Sequence, residues 1–298
     1  MPRLSTVAFR VRNQNPYLSW YMHSTQTKHV YDILHYLPEH PTRILEIGCG
    51  MGTTTDVLAY EVKPRAGHVD ALDPAPQTYV CPLEHYVQSR EKFYPLPYNL
   101  GDHQHCVSTR NPTSVTFHNT DAIQFLDDDA NKDKKWDLAV LWHSVFYFES
   151  LDVLKATLVK LKGKVKRVLI VEYALRPTLK YAMAHLFATM LRGAVGEMRQ
   201  KKGLDTQGHL TCMVTPDKIK KTLNAAGWKL EKEADVIPDE ELIDGDCETT
   251  WALGDAFQKE LDELGEGGTS SKKEEALRAL KNATLAELVA DDRRKISR

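Results

Sequence analysis

Short apolar runs alternate with helix-like stretches along most of the chain. Five runs, four of them dense in Val, Ile and Leu, are RILEIGCG (43–50), HVDALDP (68–74), SVTFHNTD (114–121), WDLAVLWHS (136–144) and KRVLIVEYA (166–174). Runs of branched apolar residues are typical of strands that are buried on both faces of a sheet. Because these strands alternate with helices, the pattern predicts a mainly parallel sheet with right-handed crossovers.

The remaining elements are predicted from the spacing of apolar residues and from the residues that begin and end helices. Apolar positions recur at helical intervals from about Ser24 to Leu37, and a long helix is predicted within 176–214. Thr215 and Pro216 are typical N-cap and first-turn residues, so another helix begins there. Residues 228–238 are interpreted as a strand, and 247–257 as the last strand or its entry. The predicted fold class is therefore α/β, with a doubly wound, mostly parallel, seven-stranded sheet of Rossmann-like type.

Three regions follow from this order of elements. Residues 1–40 are predicted to form an N-terminal helical cap, and 41–257 the α/β core. The core carries two segments longer than a crossover needs, 75–99 and 176–214, which we interpret as cap insertions that carry substrate specificity. Residues 265–298 comprise a flexible linker, GEGGTSS, and an amphipathic C-terminal helix.

The candidate chemistry lies after the first strand, in ILEIGCGMGT. A strand runs into a glycine-rich turn and then a helix, an arrangement that lets the backbone and a helix N-terminus approach a ligand. The spacing is GxGxG and not the GxGxxG of dinucleotide folds, which disfavours a dehydrogenase. Asp73 closes the next strand about 20 residues on, where an acid binds ribose hydroxyls. Asp121 follows the third strand, placed either to accept from an adenine amino group or to cap the next helix.

In that order and spacing, LEIGCGMG, ALDP, NTDA and WDLAVLWHS resemble the class I S-adenosylmethionine-dependent methyltransferases. More narrowly, HSTQ and IPDEELIDG are similar to segments of fungal small-molecule methyltransferases of the secondary-metabolism type. The resemblance implies S-adenosylmethionine as cofactor and a set of cofactor-binding residues: Glu46, Gly48, Gly50, Gly52, Asp73, Pro74, Asp121, Ala122, Trp142, His143, Tyr21 and Thr25. Within that set, Glu46 either orients the turn or approaches the methionine amino group.

His143 is the candidate catalytic residue, because it ends the fourth strand at the edge where ligands bind in open α/β sheets. An imidazole suits a general base at neutral pH, and the alternative is a packing role beside the cofactor. The predicted activity is methyl transfer to a nucleophilic N, O or S atom of a small molecule. The alternatives are a protein or nucleic-acid methyltransferase and a non-catalytic cofactor-binding regulator.

The composition of the chain limits the classes of partner and the location that are expected. A net charge of −2 with no basic stripe argues against a nucleic-acid partner, and no apolar run approaches the roughly 20 residues of a membrane span. The N-terminus lacks the pattern of a secretory signal, and five scattered cysteines without CxxC spacing favour a reducing, cytoplasmic location. No metal site is predicted. The sequence leaves the oligomeric state open.

Overall fold

A single parallel sheet organises the first part of the chain. The computed structural model describes residues 28–34, 41–80, 99–176, 182–237, 245–265 and 272–296. Within them five strands pair in the order β3-β2-β1-β4-β5. They are β1 (Arg43–Ile47), β2 (His68–Leu72), β3 (Val115–His118), β4 (Trp136–Trp142) and β5 (Val165–Val171). Every pairing is parallel, which confirms the predicted α/β class.

Helices alternate with these strands and then continue to the end of the chain. Residues 28–34 are helical, in agreement with the N-terminal prediction as far as the described residues reach. The later helices are α1 (Thr53–Val62), α2 (Leu100–Arg110), α3 (Ala122–Asp127), α4 (Leu151–Leu161), α5 (Met183–Lys201), α6 (Pro216–Ala225), α7 (Asp246–Leu253), α8 (Asp255–Glu263) and α9 (Lys272–Ile296). Of the described helices, none is long and apolar enough to cross a bilayer.

The prediction of seven strands is wrong for the described residues, which hold five. Among the described residues, 228–237 pair with no strand. Side chains hold this segment instead, through bonds from Trp228 Nε1 to the Leu158 carbonyl and from Arg167 to Glu231. Residues 247–257 are helical in α7 and α8. In that segment the buried positions 248, 249, 251 and 252 recur at helical spacing, and this burial overrides the strand propensity of its threonines and Trp251.

The chain divides into two compact units. The first comprises Met1–Val145, Asp152–Glu172 and Ile219–Ile243, and contains the sheet. Its core includes the inward side chains of β1, β2 and β4 together with one face of α1, among them Ile44, Val57, Leu58, Val69 and Val140. Strands β1 and β2 are buried at four of five positions, as expected for central strands covered on both faces.

The second unit comprises Phe146–Leu151, Tyr173–Lys218 and Asp244–Arg298. It is built from α5, α7, α8 and α9 around an apolar core of its own that includes Leu191, Val195, Trp251, Phe257 and Leu261. The C-terminal helix packs along α5 through Leu277, whereas Leu285 on the same helix is half exposed. An ion pair between the partly buried Arg192 of α5 and the buried Glu248 of α7, at 2.7 Å, links two helices of this unit.

The strand order reverses between β1 and β4. These neighbouring strands lead away in opposite directions, β1 toward β2 and β4 toward β5. A crevice forms at the carboxyl edge of an open sheet where this happens, and ligands bind there. The glycine turn follows β1 and His143 follows β4, so the fold places the two predicted features at this one point.

Candidate functional site

The glycine turn adopts a conformation that favours glycine at three positions. Gly48, Gly50 and Gly52 have φ angles of 75°, 52° and 87°. The N–H groups of Gly48 and Cys49 both donate to the carbonyl of Leu72 at the end of β2, at 2.8 and 2.9 Å. The turn is therefore fixed to the neighbouring strand before any ligand binds.

The three glycines have different surroundings. A Cβ at Gly48 would lie 2.5 Å from Cβ of Ser144, and one at Gly52 would lie 2.9 Å from Cζ of Phe117. A Cβ at Gly50 would meet no atom within 4 Å. Gly48 and Gly52 are thus required by the protein's own packing, whereas Gly50 faces open space beside the N-terminus of α1. This open side fits a ligand that approaches the backbone closely.

Asp73 holds the turn from the β2 side. Its Oδ2 accepts the Gly50 N–H at 2.8 Å and its Oδ1 accepts the Ala75 N–H at 2.9 Å. Burial raises the pKa of this carboxyl, against the lowering effect of the two backbone bonds. Each carboxylate oxygen can accept a second bond, so the predicted ribose contact fits this geometry. Pro74, also predicted at the cofactor, lies on the surface.

Gln104 holds the same turn from the other side, and the sequence analysis missed it. Its Nε2 donates to the Gly50 carbonyl at 2.8 Å, from a position on α2 where the side chain is buried. Leu100 and Val107 are the other buried residues of that helix. A glutamine at helical spacing between two buried apolar residues is the pattern that could have indicated a specific polar role.

Glu46 is fully buried beneath the turn. Its Oε2 accepts the hydroxyl of Thr55, in the first turn of α1, at 2.6 Å. Burial raises the pKa of Glu46 to about 8, and the nearby Asp73 adds to this effect. The side chain therefore joins the end of β1 to the start of α1. Of the two roles predicted for Glu46, this geometry is the one expected for a residue that orients the turn.

Asp121 is the N-cap of α3. Its Oδ1 accepts the N–H groups of Ile123 and Gln124 at 2.8 and 3.0 Å. The capping role is therefore present, while the adenine contact predicted for this residue stays a prediction. Ala122 is buried directly after it.

His143 stands at the end of β4 with φ of 48°, in the left-handed region. Its N–H donates to the Val171 carbonyl at 2.8 Å, and its Nδ1 lies 3.5 Å from Oε1 of Glu172. Trp142 is buried beside it, with the two rings edge to face at 6.1 Å. His29, from the 28–34 helix, lies nearly parallel to the His143 ring at 6.1 Å. The sequence analysis predicted neither Glu172 nor His29 at this site.

Two predicted cofactor residues, Tyr21 and Thr25, lie outside the described residues. Among the residues that the structure does describe, no cluster of three or more His, Cys, Asp or Glu side chains is arranged to hold a metal ion. The site that the described residues form thus consists of the glycine turn, its two clamps Asp73 and Gln104, and the His143 corner.

Comparison with known proteins places the chain in a family. A family model described as a methyltransferase domain matches residues 21–233. Two curated methyltransferases of Diaporthe leptostromiformis, phomM and phomM', are each 23% identical to the chain over 78% of its length. The match covers 64% of each of those proteins, so the chain spans just under two thirds of their length.

A solved structure shows the same fold. The crystal structure of a cyclopropane-fatty-acyl-phospholipid synthase-like protein from Lactobacillus casei is similar with a TM-score of 0.70. The two sequences are 23% identical, and the similarity covers 95% of this chain and 93% of that one. At this identity the similarity concerns the fold alone.

Proposed function

This chain belongs to the methyltransferase domain family, and from that premise we propose that it transfers a methyl group to a nucleophilic N, O or S atom of a small molecule. S-adenosylmethionine is the cofactor, as the resemblance of the sequence implied. The observation that carries the proposal is the glycine turn at the sheet's switch point, held by Asp73 and Gln104 and open at Gly50.

We assign the cofactor to this turn. Gly48, Gly50 and Gly52 would wrap the methionine portion, Asp73 would bind the ribose, and Asp121 with Ala122 would lie beside the adenine. The support is geometric: the turn presents backbone at the N-terminus of α1, where N–H groups favour a negative group such as the cofactor's carboxylate. Asp73 keeps acceptor capacity beyond its two backbone bonds.

The chemistry is an in-line displacement. When bound, S-adenosylmethionine supplies an electrophilic methyl group on a sulfonium. The acceptor's lone pair forms the new bond to carbon as the carbon–sulfur bond breaks, and sulfur keeps that electron pair. The protein's contribution is to align the acceptor at about 3 Å and to exclude water.

We propose His143 as the general base for an acceptor that must lose a proton. An imidazole has an ordinary pKa near neutrality, which suits proton removal under physiological conditions. Two observations support the assignment: His143 follows β4 at the switch point, and Glu172, buried beside it, lies 3.5 Å from its Nδ1. A carboxylate there favours the tautomer with hydrogen on Nδ1 and leaves Nε2 as the basic nitrogen.

A small-molecule acceptor is supported by charge. The chain carries a net charge of −2, and a protein built to hold a nucleic-acid backbone would carry a basic stripe. Methylation of a protein or nucleic acid is the alternative acceptor class, and a cofactor-binding regulator is the alternative outside catalysis. Cys49 and Cys106 are in no disulfide, which supports a reducing compartment such as the cytoplasm.

Two measurements test the proposal. Calorimetry should show binding of S-adenosylhomocysteine with no heat from NAD or NADP. The protein is then incubated with tritiated S-adenosylmethionine and, in parallel, a metabolite extract, total RNA and total protein. Label in the small-molecule fraction is the expected result. Label in RNA or protein would reassign the acceptor class, and binding without turnover on any fraction would favour the regulator.

A further inference from the structure

A buried glutamine occupies a core position of α2. Gln104 is only 4% exposed, and it shares the buried face of the helix with Leu100 and Val107. An amide buried without hydrogen bonds destabilises a protein, so an apolar residue would be the ordinary choice at such a position. The amide is retained where its hydrogen bonds are specific.

Both ends of the Gln104 amide are engaged. Nε2 donates to the Gly50 carbonyl at 2.8 Å, and Oε1 accepts from Nε2 of Gln77 at 3.1 Å. The Gly50 N–H meanwhile donates to Asp73 at 2.8 Å. Gly50 is therefore held through its N–H and its carbonyl by two different side chains.

These two hydrogen bonds, which we call the double clamp, restrain Gly50, whose backbone has the greatest intrinsic freedom. Glycine loses more backbone freedom on ordering than any other residue, so fixing its backbone has the largest entropic cost. Gly50 has no side chain to hold its φ of 52°, and the space beside it is open. A turn that is already ordered does not lose this freedom again when a ligand binds.

Gln77 connects the clamp to the segment 75–79, which follows β2. The Gln77 carbonyl accepts the Gly101 N–H at 2.9 Å, and the Tyr79 carbonyl accepts the Leu100 N–H at 2.8 Å. Gly101 makes room for this approach, because a Cβ there would lie 2.8 Å from Oε1 of Gln77. One chain of hydrogen bonds thus runs from this segment through Gln104 to Gly50.

We propose that Gln104 is a positioning residue that preorganises the glycine turn for the cofactor and couples cofactor binding to the segment 75–79. The inference rests on the proposed function in one respect, that the turn binds the cofactor. It assigns Gln104 no contact with the cofactor; the residue acts through Gly50.

The first test is calorimetry with S-adenosylhomocysteine. Gln104→Met keeps the length of the side chain and removes both hydrogen bonds of the amide, to Gly50 and from Gln77, so we expect affinity to fall by about tenfold or more. Gln104→Glu keeps the acceptor for Gln77 but loses the donor to Gly50, and should weaken binding by a similar factor. Asn131→Leu is the matched control, because this buried amide also donates to a backbone carbonyl, that of Phe125, before the amino end of β4. The control should lose stability and keep its affinity.

The second test is hydrogen exchange at the amides of 77–79, because Pro76 has no N–H and the Ala75 N–H bonds Asp73 directly. Addition of S-adenosylhomocysteine should slow exchange there in the unmodified protein and not in Gln104→Met. Gly101→Ala displaces Gln77 while leaving Gln104 intact, and it should remove the same protection with about a twofold to fivefold loss of affinity, since only a partly exposed bond is lost.

The outcomes separate the two proposals. If the unmodified protein binds no S-adenosylhomocysteine, the proposed function itself fails and the inference with it. If it binds, and folded Gln104→Met binds within twofold of it, the preorganising role of Gln104 is wrong. Equal protection of the 77–79 amides in both proteins would overturn the coupling.

Discussion

His143 and Glu172 lie side by side at the carboxyl ends of β4 and β5, with 3.5 Å between Nδ1 and Oε1. The other oxygen of Glu172 accepts the Val145 N–H at 3.0 Å, so the carboxylate is fixed to the backbone just beyond the histidine. His143 itself has a φ of 48°, a conformation that costs a non-glycine residue about 1–2 kcal/mol. Strained residues of this kind cluster at functional sites, and Ala66 and Leu175 are the other described non-glycine residues with a positive φ.

His143→Ala should lower kcat by about 10²–10⁴-fold and change the affinity for S-adenosylhomocysteine little, because a general base acts in the chemical step. Glu172→Gln should lower kcat by a smaller factor and shift the pH–rate profile. The measurement is steady-state kinetics with an acceptor identified by the tritium assay. Asp137→Asn is the control, since this carboxylate holds the backbone of Thr42 and Arg43 at the start of β1. A loss below about fivefold in His143→Ala would leave the residue a packing role.

His143→Gly should be more stable than His143→Ala by about 1 kcal/mol, because glycine adopts a positive φ without steric strain. The two variants lose the same imidazole contacts, so their difference isolates the backbone. Urea denaturation of both measures it. Equal stability would mean that position 143 is unstrained.

Gly48→Ala and Gly50→Ala should separate folding from binding. The first brings a Cβ to 2.5 Å from Ser144 and should lower stability markedly. The double variant Gly48→Ala/Ser144→Gly should recover only part of the loss, because the positive φ at 48 remains and the bond from Ser144 Oγ to the Ile47 carbonyl is removed. The second meets no protein atom, so its cost in stability is mainly that of the positive φ, about 1–2 kcal/mol, while the added methyl enters the ligand's space. Gly50→Val should abolish S-adenosylhomocysteine binding in calorimetry. Unchanged affinity at Gly50 would remove the turn from the cofactor site.

Asp73→Ala should weaken S-adenosylhomocysteine binding by roughly 1–3 kcal/mol, the usual cost of an unmatched buried polar group. Two contributions add here, since the variant loses the proposed ribose contact and also the bond that orders the Gly50 N–H. Calorimetry with adenosine, which keeps the ribose, and with methionine, which lacks it, divides them. A loss confined to adenosine would assign Asp73 to the ribose alone.

Glu46 should make the protein less stable as the pH rises. Its folded-state pKa of about 8 exceeds the ordinary value of 4.5, so between these values the folded protein holds a proton that the unfolded chain has released. The free energy of unfolding then falls by up to about 1.4 kcal/mol per pH unit in that window. Glu46→Gln cannot titrate and should show a shallower slope from about pH 5 to 8 in urea denaturation. Identical slopes would contradict the raised pKa.

Local sequence patterns predict much of the fold and part of the candidate site. The five strands, the helix that begins at Pro216 and the glycine turn before α1 all occur where the sequence predicts them. These features depend on residues that are close together in the chain. A strand depends on a dense run of apolar residues, a helix start depends on its cap residues, and this turn depends on glycines at the positions with positive φ. Because the strand order reverses between β1 and β4, His143 at the end of β4 lies at the same edge of the sheet as the turn, which is the edge where ligands were expected to bind.

Tertiary structure alone decided the rest, because those features depend on partners far away in sequence. Residues 228–237 have a strand-like pattern, yet they pair with no strand in the part of the chain that the structure describes, and the side chain of Glu231 binds Arg167 instead. Trp251 lies on a helix because the buried residues around it recur at helical spacing and pack into the core of the second unit. Gln104 bonds Gly50 across 54 residues of chain, and Glu172 approaches His143 across 29. No local pattern specifies such pairs; they form only when β1, β4 and β5 set their ends side by side and α2 packs against the turn.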